Sequence, residues 1–370
     1  MNILILGWRG PKHPNAGGAE QVVHEHAKGW VEAGHKVTLF TSSYPKAKSE
    51  EVVDGINIIR KSIQYWGVHF AAFHWYIFKK HPDFDLVIDQ FHGIPFFTPL
   101  YVKTKKIALI QEVAKEVWFV NQLPWPINHI IGVIGYLGEP LIFQFYKKSL
   151  FMTGSNSAKL DLIKYGISKE KITVVPHGVL LEKVNVKKEK VNTIIFLGAV
   201  SKDKGVEDAL KCFSILSKTG KYKFWIVGKT SLKYKKELEQ RVKKLGLTEE
   251  IKFWGFVDEP KKFELLARSH ILINPSIREG WGLVNIEANS VKTPVVAYNS
   301  AGLVDSVKDN SSGIIVKTNS PEDLAEAVQR ILKKGNMYSF LQRGAVEWSK
   351  KFNWEKSRKL SLDLVNDTAN

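Results

Sequence analysis

The sequence predicts an α/β protein built from two doubly wound domains, each a parallel sheet with helices on both faces. Short apolar runs alternate with helical patterns along both halves of the chain, which is typical of such sheets. The 370 residues are enough for two domains of ordinary size. The charged stretch 182–191 lies between the halves and is expected to be a linker. We therefore predict domains at 1–182 and 191–350, facing each other across a cleft.

The N-terminal half is predicted to contain five strands and a long helix. Strands are expected at 2–6, 36–41, 86–89, 107–110 and 151–153, and the helix at 19–33. The strand segments are short apolar runs, the pattern of strands buried on both faces of a sheet. Since doubly wound sheets bind ligands beyond the carboxyl ends of their strands, the loops that follow these strands are the first places to look for a site.

The C-terminal half repeats the alternation. Strands are expected at 193–197, 223–227, 251–254, 271–273 and 294–297, and helices at 205–218, 234–244, 260–267, 285–290 and 321–334. The repetition predicts a second domain of the same class with its own set of ligand-facing loops.

The composition restricts the class of protein. Apolar residues make up 44% and charged residues 25% of the chain, as in ordinary globular domains. The single cysteine, Cys212, suits a reducing cytosol, and the apolar run 3–6 is too short for a signal peptide, so we expect a cytoplasmic protein. The net charge of +17 comes mostly from lysine and is not organised as a nucleic-acid-binding motif. This charge is typical of a solvated cationic surface, and it would also attract an anionic membrane or an anionic small molecule.

The segment 117–146 is rich in aromatic and aliphatic residues and ends at Lys147-Lys148. A bilayer-spanning helix needs about 20 predominantly apolar residues, and prolines and Glu139 interrupt this segment. One interpretation is a buried pair of core helices. The other, which we favour, is an interfacial apolar patch with lysine anchors, because a second aromatic cluster at 65–78 also precedes a lysine pair. This predicts peripheral contact with an anionic membrane surface.

The stretch 279–287, which reads Glu-Gly-Trp-Gly-Leu-Val-Asn-Ile-Glu, is the most informative part of the chain. A glycine turn that opens a helix points backbone N–H groups at an anion. Glu279 stands before this turn and Glu287 two helical turns later, where each can accept hydrogen bonds from hydroxyl groups. An anion site between two carboxylates is what binding of a nucleotide sugar requires. The alternative is a common glycine turn followed by a solvated helical glutamate.

Three other loops follow predicted strands. Gly17 and Gly18 open the helix at 19–33, where they can present N–H groups to a phosphate or hydroxyl. Gly198 begins a loop that carries Lys204, a cation able to neutralise a diphosphate leaving group. His177 lies between a proline and a glycine, and we interpret it as part of a fixed turn.

Two common phosphate and metal motifs are missing from the sequence. Gly228-Lys229-Thr230 resembles the end of a P-loop, but the glycine that the motif requires five residues earlier is Lys223. Asp83 and Asp85 bracket Phe84 before a strand, which is the wrong side for a metal-binding Asp-x-Asp motif. We therefore expect neither a P-loop nor a bound metal.

Taken in order, the motifs resemble those of the retaining GT-B glycosyltransferases of the large family 4. The resemblance covers almost the whole chain and rests on Gly17-Gly18-Ala19-Glu20, Pro176-His177-Gly178-Val179, the loop 198–205, the stretch 279–287 and Thr293-Pro294-Val295-Val296-Ala297. It implies the GT-B fold, with a final helix at 354–370 that returns to the N-terminal domain.

The resemblance also implies roles for individual residues. Glu279 would bind donor-sugar hydroxyls, Glu287 the ribose diol and Lys204 the diphosphate, with Glu279 and Lys204 as the catalytic pair. The donor site would further include Gly17, Gly18, Gly198, Val257, Gly280, Trp281, Gly282, Leu283 and Val284. The donor would be a UDP- or GDP-linked sugar, no metal or other cofactor would be needed, and front-face attack would require no side-chain base.

Two positions depart from the family pattern. Ala199 stands where the family usually has arginine, and Gln111, followed by Glu112 on the acceptor side, stands where it usually has histidine. Lys202 or Arg9 could replace the missing cation. The sequence thus supports a hexosyltransferase acting on a lipid-linked, polysaccharide or other glycan acceptor at the cytoplasmic face of a membrane. The alternatives are a weak or inactive sugar-nucleotide-binding homologue and a sugar-nucleotide epimerase.

Overall fold

The computed structural model describes residues 1–64, 66–91, 93–120, 125–180, 184–333 and 335–369. Its contacts divide the chain into an N-terminal unit, Met1–Gly178 together with Trp354–Asn370, and a C-terminal unit, Val179–Asn353. Tyr65, Pro124, Glu182, Lys334 and Asn370, which belong to segments discussed above, lie outside the described residues. The predicted α/β class is confirmed, because both units contain mainly parallel sheets with helices.

The elements are numbered along the chain. The strands are β1 (Asn2–Leu6), β2 (Lys36–Thr41), β3 (Glu50–Val53), β4 (Ile56–Arg60), β5 (Leu86–Phe91), β6 (Lys105–Ile110), β7 (Leu150–Thr153), β8 (Ile172–Val174), β9 (Asn192–Leu197), β10 (Tyr222–Val227), β11 (Ile251–Gly255), β12 (Ile271–Asn274), β13 (Val295–Ala297) and β14 (Gly313–Ile315). The helices are α1 (Gly18–Glu32), α2 (Trp66–Phe78), α3 (Ile127–Tyr146), α4 (Asn156–Lys164), α5 (Val206–Ser217), α6 (Leu232–Lys244), α7 (Glu259–Arg268), α8 (Leu283–Ser290), α9 (Leu303–Ser306), α10 (Pro321–Lys333), α11 (Gly335–Ser349) and α12 (Trp354–Ala369). Short 3-10 helices occur at Thr98–Leu100, Lys115–Val120 and Lys169–Lys171.

The sheet of the N-terminal unit has the strand order β3-β4-β2-β1-β5-β6-β7-β8. All neighbours are parallel except the hairpin β3-β4. The central strand β1 is buried along Ile3–Leu6 because apolar side chains on both of its faces pack under helices. The chain moves outward from β1 to β2 and then crosses to β5, so the order reverses between β1 and β5.

The final helix, α12, packs on α1 of the N-terminal unit, as the GT-B fold requires. Trp30 Nε1 donates to Ser361 Oγ at 3.1 Å, and the Arg358 guanidinium pairs with Glu25 and Glu32. A Cβ atom on Gly29 would lie 2.8 Å from the side chain of Arg358. The two helices therefore approach closely at Gly29 and are joined by ion pairs beside it.

The sheet of the C-terminal unit is parallel, with the order β11-β10-β9-β12-β13-β14. One large core surrounds it, in which β9 and β12 are covered by helices on both faces. The chain moves outward from β9 through β10 to β11 and then crosses to β12. The strand order therefore reverses between β9 and β12, and the loops that leave these two strands begin at the same carboxyl edge of the sheet.

One expectation requires correction, and one element was not predicted. The predicted linker is partly bound to the C-terminal unit, because Lys188 Nζ donates to Ser269 O at 2.6 Å and Glu189 pairs with Arg268. The hairpin β3-β4 was not predicted, although Asp54-Gly55 at its turn has positive φ angles of 49° and 79°. This turn sequence and conformation are typical of tight hairpins.

Candidate active site

The loops that follow β9 and β12 meet where the strand order of the C-terminal unit reverses. Because ligands in doubly wound folds bind beyond the carboxyl ends of strands at such a point, this is the expected position of a site. Asp203 O accepts a hydrogen bond from Ile277 N at 3.0 Å and one from Ser276 Oγ at 3.3 Å. A Cβ on Gly205 would lie 2.1 Å from Pro275 O. The two loops are therefore fixed to each other by backbone contacts.

This junction brings the two predicted catalytic side chains together. Lys204 Nζ lies 2.9 Å from Glu279 Oε2, and the side chains are 24% and 20% exposed. A partly exposed cation paired with a carboxylate can exchange that partner for an anionic ligand, while the carboxylate turns to bind hydroxyl groups. Glu279 itself is held by its backbone, because its N–H donates to Ala301 O at 3.1 Å.

The glycine turn after Glu279 ends at the start of α8. Gly282, with a φ of +89°, precedes Leu283, and a Cβ at Gly282 would lie 2.9 Å from both Asn285 Nδ2 and Ser306 Oγ. Both the backbone conformation and the space favour glycine here. The first N–H groups of a helix have no partner within the helix. The turn therefore presents backbone donors next to the Lys204–Glu279 pair.

A chain of buried amides holds the start of α8 in position. Asn274 at the end of β12 donates to Asn285 Oδ1 at 2.9 Å, and Asn285 donates to Ser306 Oγ at 2.8 Å. These side chains are buried, so each hydrogen bond satisfies a group that would be costly to leave unpaired. The network connects the end of a strand, the site helix and α9, which makes the turn rigid.

Glu287 is also buried, and the structure gives it a partner that the sequence analysis did not identify. Lys262 Nζ on α7 donates to Glu287 Oε1 at 2.7 Å and pairs with Glu259 at 2.8 Å. Burial opposes charge on the Lys262 ammonium, but the two carboxylates outweigh burial and raise the pKa of Lys262. Burial raises the pKa of the Glu287 carboxyl, and the Lys262 ammonium opposes that rise. Lys262 therefore holds the carboxyl group that is predicted to bind a diol.

The Trp281 side chain packs in a buried cluster and does not line the candidate site. The side chain is 3% exposed, and its ring centroid lies 4.8 Å from that of Phe352. Val179 and Ile286 complete this small cluster. The backbone of Gly280 and Trp281 thus remains the part that can meet a ligand, while Leu283 and Val284 are half-buried at the start of α8.

A second lysine lies beside Ala199. Gly198 N donates to Val227 O at 3.0 Å and Val200 N to Lys229 O at 2.8 Å, so the loop after β9 pairs with the end of β10. A Cβ on Gly198 would meet nothing within 4 Å, so the loop has open space beside it. Lys229 follows β10 and is therefore a neighbour of the position where the family usually has arginine.

Lys229 also lies next to Phe256, which precedes the predicted donor-site residue Val257. Its Nζ is 4.5 Å from the ring centroid of Phe256, which is 69% exposed, and Val257 follows half-buried. Lys202, suggested above as a substitute cation, is exposed. Lys229 is therefore a further candidate for the missing cation, because its backbone pairs with the loop that carries Ala199. The only sequence signal for it was the incomplete P-loop pattern.

In the N-terminal unit, Gly17 and Gly18 are at the start of α1, after the loop that leaves β1. Gly17 N donates to Glu20 Oε2 at 2.7 Å, and Arg9 Nε donates to Glu20 Oε1 at 3.0 Å. The Arg9 guanidinium also stacks 4.1 Å from the Trp8 ring. Arg9 is thus fixed by Glu20, and this pair positions the glycine turn.

Gln111 and Glu112 begin the loop after β6. Gln111 is 8% exposed and Glu112 half-buried. Glu139 of α3, which is 3% exposed, holds this loop by accepting hydrogen bonds from Ala114 N at 2.7 Å and Lys115 N at 2.9 Å. The position of the loop that carries Gln111 therefore depends on α3.

His177 is buried, and the structure shows no regular turn at its position. A Cβ on Gly154 would lie 2.2 Å from the His177 ring. Burial, together with the His26 imidazole of the same unit, lowers the pKa of His177 to about 3. The ring is therefore neutral at physiological pH.

Two further features concern ligands and membranes. In the part of the chain that the structure describes, no group of three or more His, Cys, Asp or Glu side chains is arranged to hold a metal ion. None of the helices within the described ranges combines the length and the apolar character of a membrane-spanning segment.

Comparison with known protein families gives two matches. The model for glycosyl transferases group 1 matches residues 180–348, and the model for glycosyltransferase family 4 matches residues 16–183. An uncharacterized glycosyltransferase of Methanocaldococcus jannaschii is 26% identical over 98% of this chain and 99% of its own length. A D-inositol 3-phosphate glycosyltransferase of a Nocardioides strain is 31% identical, but the match spans 36% of this chain and 31% of the relative.

Several solved structures share the fold. Sucrose-phosphate synthase from Thermosynechococcus elongatus has a TM-score of 0.78 at 17% identity, covering 99% of this chain and 97% of that chain. WaaG, a glycosyltransferase involved in lipopolysaccharide biosynthesis, has a TM-score of 0.77 at 17% identity, covering 98% and 99%. Anabaena HepE, solved in complex with UDP and glucose, has a TM-score of 0.74 at 16% identity, covering 99% and 100%.

Proposed function

The chain belongs to the group 1 glycosyltransferases and has the GT-B fold, and we propose that it is a retaining, metal-independent hexosyltransferase. Its donor is a nucleoside-diphosphate sugar, linked to uridine or guanosine. Its acceptor is a lipid-linked, polysaccharide or other glycan, and it works at the cytoplasmic face of a membrane. A structural neighbour solved with UDP and glucose supports the donor class.

The observation that carries this proposal is the Lys204–Glu279 pair, at 2.9 Å, where the strand order reverses. When a donor binds, the Lys204 ammonium contacts its diphosphate and Glu279 accepts hydrogen bonds from the hydroxyl groups of the sugar. The backbone N–H groups after Gly282 add further donors to the phosphates. The diphosphate gains negative charge as its bond to the sugar breaks. Hydrogen-bond donors that are already fixed around it stabilise this charge and so lower the barrier to sugar transfer.

Glu287 and Lys262 bind the nucleoside. Lys262 holds one carboxylate oxygen of Glu287, at 2.7 Å, and the carboxylate accepts hydrogen bonds from the ribose diol. Phe256, which is 69% exposed, and the neighbouring Val257 offer an apolar surface to the base. Because the partner of Glu287 lies on a different helix, the ribose site is fixed before any ligand binds.

The reaction proceeds on one face of the sugar. The bond from the anomeric carbon to the phosphate oxygen breaks, and the acceptor oxygen forms its bond on the same face, so configuration is retained. The acceptor proton passes to the leaving phosphate, and the nucleoside diphosphate departs. No side-chain base is needed, so the replacement of a histidine by Gln111 is compatible with turnover.

The membrane part of the proposal rests on α3. Five apolar side chains recur every three or four residues along this helix and are 50% to 66% exposed: Ile130, Ile134, Leu137, Leu141 and Phe145. We call them the apolar stripe. Such spacing puts them on one side of the helix, and the lysine-rich surface of the chain provides attraction to anionic lipids. A helix that lies on the membrane rather than crossing it accounts for both features.

The second candidate function is a weak or inactive sugar-nucleotide-binding homologue, favoured by Ala199. Loss of one cation that faces a developing diphosphate costs on the order of 10²-fold in rate. Lys229, beside this loop, can supply the missing charge. If it does not, the protein binds donors without turning them over.

A thermal-shift titration of the purified chain against UDP-, GDP- and ADP-sugars tests the donor site, followed by assay of nucleoside diphosphate release. We expect one nucleotide class to raise the melting temperature and to be hydrolysed slowly even without acceptor. Lys204→Gln should bind the donor more weakly and release less product, whereas Lys202→Gln, with the same charge change two residues away, should match the wild type. Stabilisation by a sugar nucleotide without release of nucleoside diphosphate would favour the inactive binding homologue. If no sugar nucleotide stabilises the protein, both the transferase and the binding hypotheses are refuted.

A further inference from the structure

A cavity of about 500 Å³ opens at the amino ends of β6 and β7 in the N-terminal unit. Three lysines line it, Lys105 and Lys106 from β6 and Lys148 from the turn before β7, together with Phe145 and Thr368. None of the described residues that line the cavity is acidic. It is therefore a cationic cavity with an apolar edge, and it lies at the end of the sheet opposite to the Gln111 loop.

The lysines of this cavity are available to a ligand. Lys105 Nζ donates to Ala369 O at 2.9 Å, a neutral partner. Within the described residues, neither Lys106 nor Lys148 forms an ion pair. Burial lowers the pKa of Lys106 below its usual value, so an anion in the cavity would relieve an unfavourable charge. Three ammonium groups around one cavity fit a phosphate group.

The cavity is continuous with the apolar stripe, because Phe145 belongs to both. From Phe145 the stripe runs the length of α3, a 20-residue helix and thus roughly 30 Å long. The edge of a second exposed apolar region adjoins it, since the Phe97 and Phe145 ring centroids lie 6.2 Å apart and Leu100 nearby is 63% exposed. An amphiphile with an anionic head and apolar chains matches this combination.

The side of α3 opposite to the apolar stripe is covered by the protein, because its buried residues are Gly132, Glu139, Phe143 and Tyr146. Cβ atoms on Gly132 and Gly135 would lie 2.6 Å and 2.3 Å from the rings of Phe119 and Trp118, so these aromatic residues pack directly on the helix. Phe143 faces the core and is 1% exposed. The stripe thus belongs to the exposed surface of a helix whose opposite side is packed on the protein.

We propose that the cavity lined by Lys105, Lys106 and Lys148 binds the headgroup phosphate of an anionic phospholipid whose acyl chains lie against the apolar stripe. This inference rests on the membrane part of the proposed function and gives it a defined lipid site. It also explains how the membrane is linked to the reaction. Glu139, on the same helix, holds the loop that carries Gln111, so a lipid-bound α3 sets the position of the acceptor-side loop.

The experiment compares two double variants of the full chain with the wild type. Lys106→Gln with Lys148→Gln removes two charges from the cavity. Lys233→Gln with Lys236→Gln removes two charges from exposed positions on α6 and is the matched control for net charge. Each protein is titrated with dihexanoyl phosphatidylglycerol below its micelle concentration, with dihexanoyl phosphatidylcholine, with inorganic phosphate, and with vesicles of equimolar phosphatidylglycerol and phosphatidylcholine.

We expect saturable binding of one dihexanoyl phosphatidylglycerol, weakened about 30-fold by the cavity variant, since a lysine near an anionic lipid surface contributes about fivefold in affinity. The control variant should change that affinity by about twofold or less, because exposed charges at a distance are screened. The affinity for vesicles should likewise be reduced much more in the cavity variant than in the control variant.

Three results would overturn the proposal: equal losses in both double variants, tight binding of inorganic phosphate alone, or binding of phosphatidylcholine as strong as that of phosphatidylglycerol. The membrane part of the proposed function has its own readout. Ile134→Ser with Leu137→Ser should abolish vesicle binding and leave the short-chain lipid bound, because both residues lie about two to three helical turns from Phe145, beyond the reach of six-carbon chains that start at the cavity. If the wild type binds the short-chain lipid but no vesicles, the membrane part fails and the lipid site stands. If it binds vesicles and the cavity variant does so equally well, the lipid site fails.

Discussion

Replacement of Glu287 by alanine is expected to destabilise the C-terminal unit before any ligand is considered. The carboxylate lies 2.7 Å from Lys262 Nζ, and the two side chains are 9% and 12% exposed. Removing it leaves a buried ammonium whose remaining carboxylate is Glu259, at 2.8 Å and 55% exposed. The variant therefore tests whether this pair organises the ribose site in the absence of ligand.

The magnitude follows from burial and from the second partner. Breaking a buried ion pair by removing one member costs about 3–5 kcal/mol, and an exposed pair restores up to about 1 kcal/mol. We expect Glu287→Ala to lower the free energy of unfolding by about 3 kcal/mol, which for a unit of this size corresponds to about 9 °C in melting temperature. Glu287→Gln keeps an oxygen that accepts from Lys262, so its loss should be smaller.

The assay is urea unfolding of the unliganded wild type, Glu287→Ala, Lys262→Met and the double variant Glu287→Ala with Lys262→Met. Each single removal leaves one buried charge, so the double variant should be more stable than the sum of the single losses predicts. Glu259→Gln is the exposed control and should cost about 0.5 kcal/mol or less. A Glu287→Ala loss no larger than that of the control, or strictly additive losses, would refute the reasoning.

Three further outcomes are expected. Lys204→Gln should lower kcat by about 10²- to 10³-fold with little change in melting temperature, measured as nucleoside diphosphate release against Lys202→Gln. Lys229→Gln should lower kcat by about tenfold or more if this lysine supplies the missing cation, and an unchanged rate would exclude it from the site. Burial lowers the pKa values of His26 and His177 to about 3, far below the unfolded value of 6.5. As the pH falls, the unfolded chain therefore binds protons before the folded chain does. The free energy of unfolding should be constant above pH 6.5 and should fall below it by about 1.4 kcal/mol per histidine per pH unit. Urea unfolding at a series of pH values should show a smaller fall for His177→Gln.

The strands at the centre of each sheet were predictable because their sequences are apolar along their whole length. Ile3–Leu6 and Ile271–Ile273 pack under helices on both faces, and only a continuous apolar run meets that requirement. The strands at 172–174 and 313–315 are three residues long, too short for any period to be visible. The turn sequence Asp54-Gly55 is typical of a hairpin. The first strand of this hairpin is exposed and rich in glutamate, so the sequence did not indicate a strand before the turn.

The candidate site was predictable where its chemistry lies within one loop. Glu279, Gly282 and Glu287 are close in sequence, so their spacing alone indicated an anion site between two carboxylates. Lys262 is 25 residues from Glu287 and reaches it only because α7 packs on α8. Nothing in the local sequence distinguishes Lys262 from the exposed lysines around it.

The strand order changes what the replacement of the family's arginine by Ala199 implies for activity. In the sequence, Ala199 and Lys229 belong to separate strand–helix units, and only the pairing of β9 with β10 makes them neighbours. A cation that faces a diphosphate can come from either strand, because both end at the same edge of the sheet. Loss of the arginine is therefore weak evidence for loss of activity, since the same edge presents Lys204 and Lys229 from different loops. The decisive comparison is between Lys229→Gln and its combination with Ala199→Arg: recovery of the rate in the combined variant would identify the two positions as alternative sources of one charge.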